Sequence, residues 1–148
     1  MNENDLRVFI DAVSHYFGQT TGIPGKVQTP YLKESEDTFA YEYTGIIGIS
    51  GRKKGCVYFT TPPKLLSHLL LRLEEPDTSA ELKCDLVGEI ANTIAGNARQ
   101  YFGPEFMISV PVVIEGQPDR IRIPEKCRCF VIPVNWQNHE SAVIVGLQ

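Results

Sequence analysis

Glu89 and Asn92 are the residues of this chain whose types and spacing could do chemistry together. They lie in the stretch Asp85-Leu-Val-Gly-Glu-Ile-Ala-Asn-Thr-Ile-Ala-Gly96. A spacing of three puts a carboxylate and a carboxamide one turn apart on one face of a helix. Flanked by small residues, the pair reads as a probe that reaches into another protein's active site. The bland alternative is a solvated helix face, where polar residues do nothing specific. Two features weigh against it. Asn is a poor helix former, so a mid-helix Asn needs a reason. Gly88 and Gly96 each cost about 1 kcal/mol relative to Ala, yet they flank the pair and would admit a close partner. Asp85, Gly88, Gly96 and Arg99 are therefore binding candidates around Glu89 and Asn92.

The element that must carry them is a long amphipathic helix over about Ser79–Phe102. At ~100° per residue, Leu86, Val87, Ile90, Ile94, Ala98 and Tyr101 form one apolar stripe. Asp85, Glu89, Asn92, Gly96 and Arg99 fall within roughly 80° of one another on the opposite side. Thr78-Ser-Ala-Glu81 reads as a capping box with Thr78 as the cap, and Gly103-Pro104 supplies the stop.

The rest of the chain offers little competing chemistry. Its 148 residues suit one domain, 1–148, with a core of its own. A net charge of −4 argues against a nucleic-acid backbone as partner. Arg52-Lys53-Lys54 lies between Gly51 and Gly55 and reads as a solvated hairpin turn. The acidic start Met-Asn-Glu-Asn-Asp is no signal peptide, and no apolar run nears the ~18 residues of a membrane span. A soluble, cytoplasmic protein without membrane contact is expected. Cys56, Cys84, Cys127 and Cys129 form no CxxC pair, and His15, His68 and His139 are scattered, so no metal site is expected. Cys127 and Cys129 read as reduced thiols on one face of a strand. Gly45-Ile-Ile-Gly-Ile-Ser-Gly51 lacks the lysine of a phosphate-binding loop.

A first helix spans 3–18, with Leu6, Ile10, Val13 and Phe17 as its stripe. It is followed by an extended run at Val27–Lys33 and strands at Phe39–Ser50 and Cys56–Thr61. A short helix starts at Pro62, with Thr61 as cap, and runs to Glu74. Beyond the long helix, Phe106–Glu115, Arg128–Val134 and Ser141–Leu147 read as strands, with turns at 116–119 and 135–138. Laying 76–148 over 1–75 aligns Asp85-Leu86 with Asp5-Leu6, Ile90 with Ile10, and Val110-Pro111 with Thr29-Pro30. The halves read as an internal repeat. Phe9 and Ala12 then stand where Glu89 and Asn92 do, on a first-helix face that is packed or sticky.

Asp85, Glu89 and Asn92, with Pro111 after a spacer, resemble the signature of the CheC/CheX/FliY chemotaxis phosphatases. Because the motif occurs in one half only, the resemblance is nearest to the CheX branch. It implies an α+β fold: two pseudo-symmetric halves forming an antiparallel sheet, with two long helices packed on one face. It also implies a partner and an activity, the dephosphorylation of a phosphorylated CheY-like receiver domain. The receiver would supply Mg²⁺, and this chain would need no cofactor of its own. Asn92 would orient the attacking water, and Glu89 would dock on the receiver's lysine. The rival reading is an interaction module that binds a receiver through the same helix without hydrolysis. CheX-like proteins are often homodimers. The C-terminal Ala-Val-Ile-Val-Gly-Leu-Gln would be a hydrophobic edge if unpaired, in keeping with dimerisation; otherwise it is a central strand.

Overall fold

The computed structural model describes residues 1–33, 40–117 and 128–147. Helix α1 spans Glu3–Thr21, α2 Pro63–Arg72 and α3 Ala80–Phe102. The strands are β1 Lys26–Val27, β2 Tyr31–Leu32, β3 Tyr43–Gly51, β4 Gly55–Thr61, β5 Phe106–Ile108, β6 Val112–Glu115, β7 Arg128–Trp136 and β8 His139–Leu147. They form one antiparallel sheet in the order β1-β7-β8-β4-β3-β5, with β2 also on β7 and β6 also on β3. This is the expected α+β architecture, with α2 joining the two long helices.

Alternation along the central strands explains the layering. Val57 and Phe59 of β4, Ile132, Val134 and Trp136 of β7, and Val143 and Val145 of β8 join the core beneath the helices. Their neighbours Cys56, Tyr58, Cys129, Val131, Ala142 and Ile144 form a second buried cluster. Because residues i and i+1 point to opposite sides, that second cluster lies on the sheet's other face. β8 pairs with β4 on one side and β7 on the other, so it is a central strand and gives no edge for dimerisation.

Several boundaries differ from the expected ones for identifiable reasons. Ser79, not Thr78, caps α3: its side chain accepts from Leu82 N at 3.3 Å, and Asp77 Oδ1 accepts from Ser79 N at 2.9 Å. With Leu82 as the third residue after the cap, no carboxylate can reach back, so the box is one-sided. Thr61 is the last residue of β4, and Pro62 caps α2 without a side-chain bond. Tyr101 is 59% exposed instead of buried. Phe102 turns inward in its place and stacks on Phe106 at 4.7 Å. In α1, Phe9, Ala12, Val13, Tyr16 and Phe17 are buried, while Leu6 and Ile10 are only partly so. The face carrying Phe9 and Ala12 is therefore packed.

β7 runs on through Asn135 and Trp136, leaving Gln137 and Asn138 as a turn with φ of 52° and 64°. Trp136 is buried, stacks on Phe17 at 5.4 Å and donates to Ile23 O at 3.0 Å. Phe39, Cys127 and the expected turn at Pro118-Asp119 lie outside the described residues.

Two expected strands are each broken in the middle. Between the pairs Ile49↔Ile108 and Ile46↔Val112, residues 109–111 face only 47 and 48 of β3. Between Val27↔Val134 and Tyr31↔Val131, residues 28–30 face only 132 and 133 of β7. Each is a one-residue bulge, and each ends in a proline, Pro111 or Pro30.

Candidate active site

Burial of Leu86, Val87, Ile90, Ala91, Ile94, Ala95 and Ala98 sets the rotation of α3. It leaves Asp85, Glu89, Asn92 and Arg99 exposed on the outer face. The helix lies very close to the sheet. A Cβ on Gly45 of β3 would come within 2.6 Å of Val87 O and 3.1 Å of Ala91 Cβ, so only glycine fits there. Thr93 Oγ1 donates back to Glu89 O at 2.9 Å.

Glu89 and Asn92 are on one exposed face, as their spacing requires. Neither head group is hydrogen-bonded or ion-paired by another described residue. α1 flanks the pair on one side. There the Tyr16 phenol is pushed up to about 12, by burial first and by the negative charge of Glu89 second. The strand side is closed by Pro111 and Val113. The other candidates divide. Gly96 has nothing within 4 Å of a would-be Cβ, so that turn is open to a partner. Gly88 is buried instead: a Cβ there would meet Val113 Cγ2 at 3.0 Å and Pro111 Cβ at 3.6 Å. It admits the chain's own strand, not a partner. The Arg99 Nε donates to Phe106 O at 3.1 Å, which ties its side chain to the β5 entry. Asp85 shares the exposed face with the pair.

Around the helix start, Cys84 Sγ lies 3.8 Å from Glu115 Oε2. Its thiol is pushed up by burial, then by the charge of Glu115 and its hydrogen bond, then by Asp85. A thiol so placed stays protonated and is no nucleophile. Among the described residues, no three His, Cys, Asp or Glu side chains gather to hold a metal ion. No helix there is long and apolar enough to cross a membrane. What the arrangement can offer is a free carboxylate and a free carboxamide on a rigid helix. Such groups can bind a partner and orient a water or a cation on it.

The profile of the CheX family, described as chemotaxis phosphatase CheX, matches residues 43–135, more than half of the chain. The chain belongs to the CheX family. Solved structures agree on the fold. A CheC-like superfamily protein from Shewanella sp. PV-4 is 22% identical, with a TM-score of 0.85, covering 100% of this chain and 99% of that one. The chemotaxis protein CheX from Desulfovibrio desulfuricans is 24% identical, with a TM-score of 0.83, covering 98% and 99%. The CheX of a CheX–CheY–BeF₃–Mg²⁺ complex from Borrelia burgdorferi is 19% identical, with a TM-score of 0.78, covering 97% of each chain. None of the curated proteins matches by sequence.

Reading the sequence missed the bulge that brings Pro111 onto Gly88. It also missed Tyr16 as a neighbour of Glu89 and Ser109 as the residue that bonds across the bulge. A serine two residues before a proline, inside a strand-like run, was the available signal for the bulge.

Proposed function

We propose that this CheX-family chain hydrolyses the aspartyl phosphate of a CheY-like receiver domain, with Asn92 and Glu89 as the working side chains. The observation that carries the reading is the exposed, untethered Glu89–Asn92 pair on a helix held rigid by its buried face. The Borrelia burgdorferi relative, described with CheY, BeF₃ and Mg²⁺, supports the choice of partner. BeF₃ has the shape and charge of a bound phosphoryl group.

The reaction adds water across the acyl phosphate. The water oxygen bonds to phosphorus, the aspartyl oxygen leaves, and aspartate and inorganic phosphate result. Such transfers depend chiefly on positioning and electrostatic stabilisation. The receiver holds the phosphoryl group and its Mg²⁺. Asn92 accepts a hydrogen bond from the water and sets its line of approach. Glu89 pairs with the receiver's active-site lysine and docks the helix. Gly96 leaves room for the receiver's loops one turn further on.

The test mixes the protein with phosphorylated receivers from its own genome and times the loss of phosphate. Accelerated loss with one receiver is expected. Binding without acceleration would make the chain an interaction module instead.

A further inference from the structure

We infer that Ser109 is a positioning residue of this site: it pins the bulge between β5 and β6 so that Val110 and Pro111 form a fixed rim beside Glu89, against which the receiver docks. The inference rests on the phosphatase reading of that face.

The bulge sets a specific problem. Three residues, 109–111, face two on β3, so a β3 backbone group is left without its ladder partner. Ser109 solves it with its own side chain. Its N–H donates to Gly48 O at 2.9 Å, and its Oγ accepts from Gly48 N at 2.8 Å. The same hydroxyl donates to Val110 O at 2.9 Å. One side chain thus bonds on both sides of the irregular turn. Val110 is held there although it is 82% exposed. Pro111 follows and lies against Gly88, the residue before Glu89.

The equivalent bulge in the first half shows that a hydroxyl is not needed for the irregularity itself. Gln28 N donates to Pro133 O at 2.9 Å, matching the Ser109–Gly48 bond. Pro133 has no N–H, so nothing there is left to satisfy. At the first half's bulge the facing strand of the other half, through Pro133, removes the orphan donor. At the second half's bulge the facing Gly48 keeps its N–H, and Ser109 uses it to tie down an exposed apolar residue. An exposed side chain on a pre-ordered backbone binds without paying again for ordering.

The experiment measures steady-state dephosphorylation of a CheY-like receiver charged by a small-molecule phosphodonor, with Tm measured in parallel. Ser109→Ala should raise KM about fivefold, the scale of one lost hydrogen bond, with kcat within about twofold. Ser109→Thr, which keeps the hydroxyl, should restore KM. Val110→Ser keeps the backbone and should raise KM without lowering Tm. Ser109→Ala and Val110→Ser both at wild-type KM would overturn the role of Ser109 and leave the phosphatase reading standing, provided Asn92→Ala is inactive. Asn92→Ala at the wild-type rate would overturn both.

Discussion

Asn92 and Glu89 do different work in this reading, and single substitutions separate them. Asn92→Ala removes a water-orienting amide but little contact area. It should abolish accelerated dephosphorylation while leaving affinity for the phosphorylated receiver largely intact, seen as a fall in kcat with KM unchanged. Glu89→Ala removes the docking charge and should weaken binding as well, by ~2–5 kcal/mol where the lysine pair is desolvated and by less where it is wet. Alanine is the best helix former and both positions are exposed, so neither variant should lose stability. Asn92→Ala at the wild-type rate would remove the mechanism. Gly96 gives an independent check. Its Cβ space is empty, so Gly96→Ala should stabilise α3 by about 1 kcal/mol in denaturant titration. If that space is kept for a partner, the same variant should bind the receiver more weakly; unchanged binding would assign Gly96 no role in docking. The pair was legible in the sequence because helical spacing and an exposed face are properties of one element. Gly88 was misread for the complementary reason. A glycine that admits a close neighbour does not say which neighbour, and here it is Pro111 and Val113 of the same chain.

At the scale of elements, the approach of α3 to the sheet decides whether the site is held rigid. Gly45→Ala forces a methyl group to within 2.6 Å of a helix carbonyl, and backbone cannot step aside as a side chain tip can. The variant should lose about 1–3 kcal/mol or more in denaturant unfolding, as overpacked cores do. A wild-type midpoint would mean that the helix can shift without cost. Phe9→Ala opens a cavity on the matching face of α1, where Phe9 is 0% exposed and 6.1 Å from the ring of Phe102. It should cost ~3–5 kcal/mol and reduce activity only through stability. The helices were legible because their apolar period is local, apart from the C-terminal turn of α3 and the rotation of α1, which buries Phe9, Ala12 and Tyr16 more fully than Leu6 and Ile10. The strands were legible as apolar runs but not in their interruptions. Whether 109–111 continue a strand depends on how many β3 residues they face, and that count is settled across the sheet. The central place of β8 was hidden likewise, since a strand buried on both faces and an exposed apolar edge read alike.

The whole molecule is organised about a pseudo-two-fold relation. Each half gives a long helix, a bulged strand broken at a proline, and a hairpin, and each bulged strand pairs with the other half's hairpin. We propose that 1–75 and 76–148 are duplicates within one domain, and that the helix of the second half keeps the polar pair. The exchange of bulged strands between halves supports this reading and makes neither half complete without the other. The seam where α2 meets the β7–β8 hairpin carries a titratable contact. His68 Nδ1 and His139 Nε2 are 3.1 Å apart, and His68 lies 4.8 Å from the Trp136 ring that α1 also packs against. The His139 pKa is lowered from 6.5, by burial first, then by His68 and Lys64. The folded state therefore holds His139 neutral more strongly than the unfolded chain does. Unfolded His139 takes up its proton first as pH falls, so stability is full above the ordinary value, declines below it, and levels off beneath the folded value. Lowering pH from about 7.5 to about 5.5 should reduce Tm, and His139→Gln should reduce the size of that fall. An equal fall in wild type and His139→Gln would show that the drop comes from other groups and that the histidine contact adds nothing to the seam.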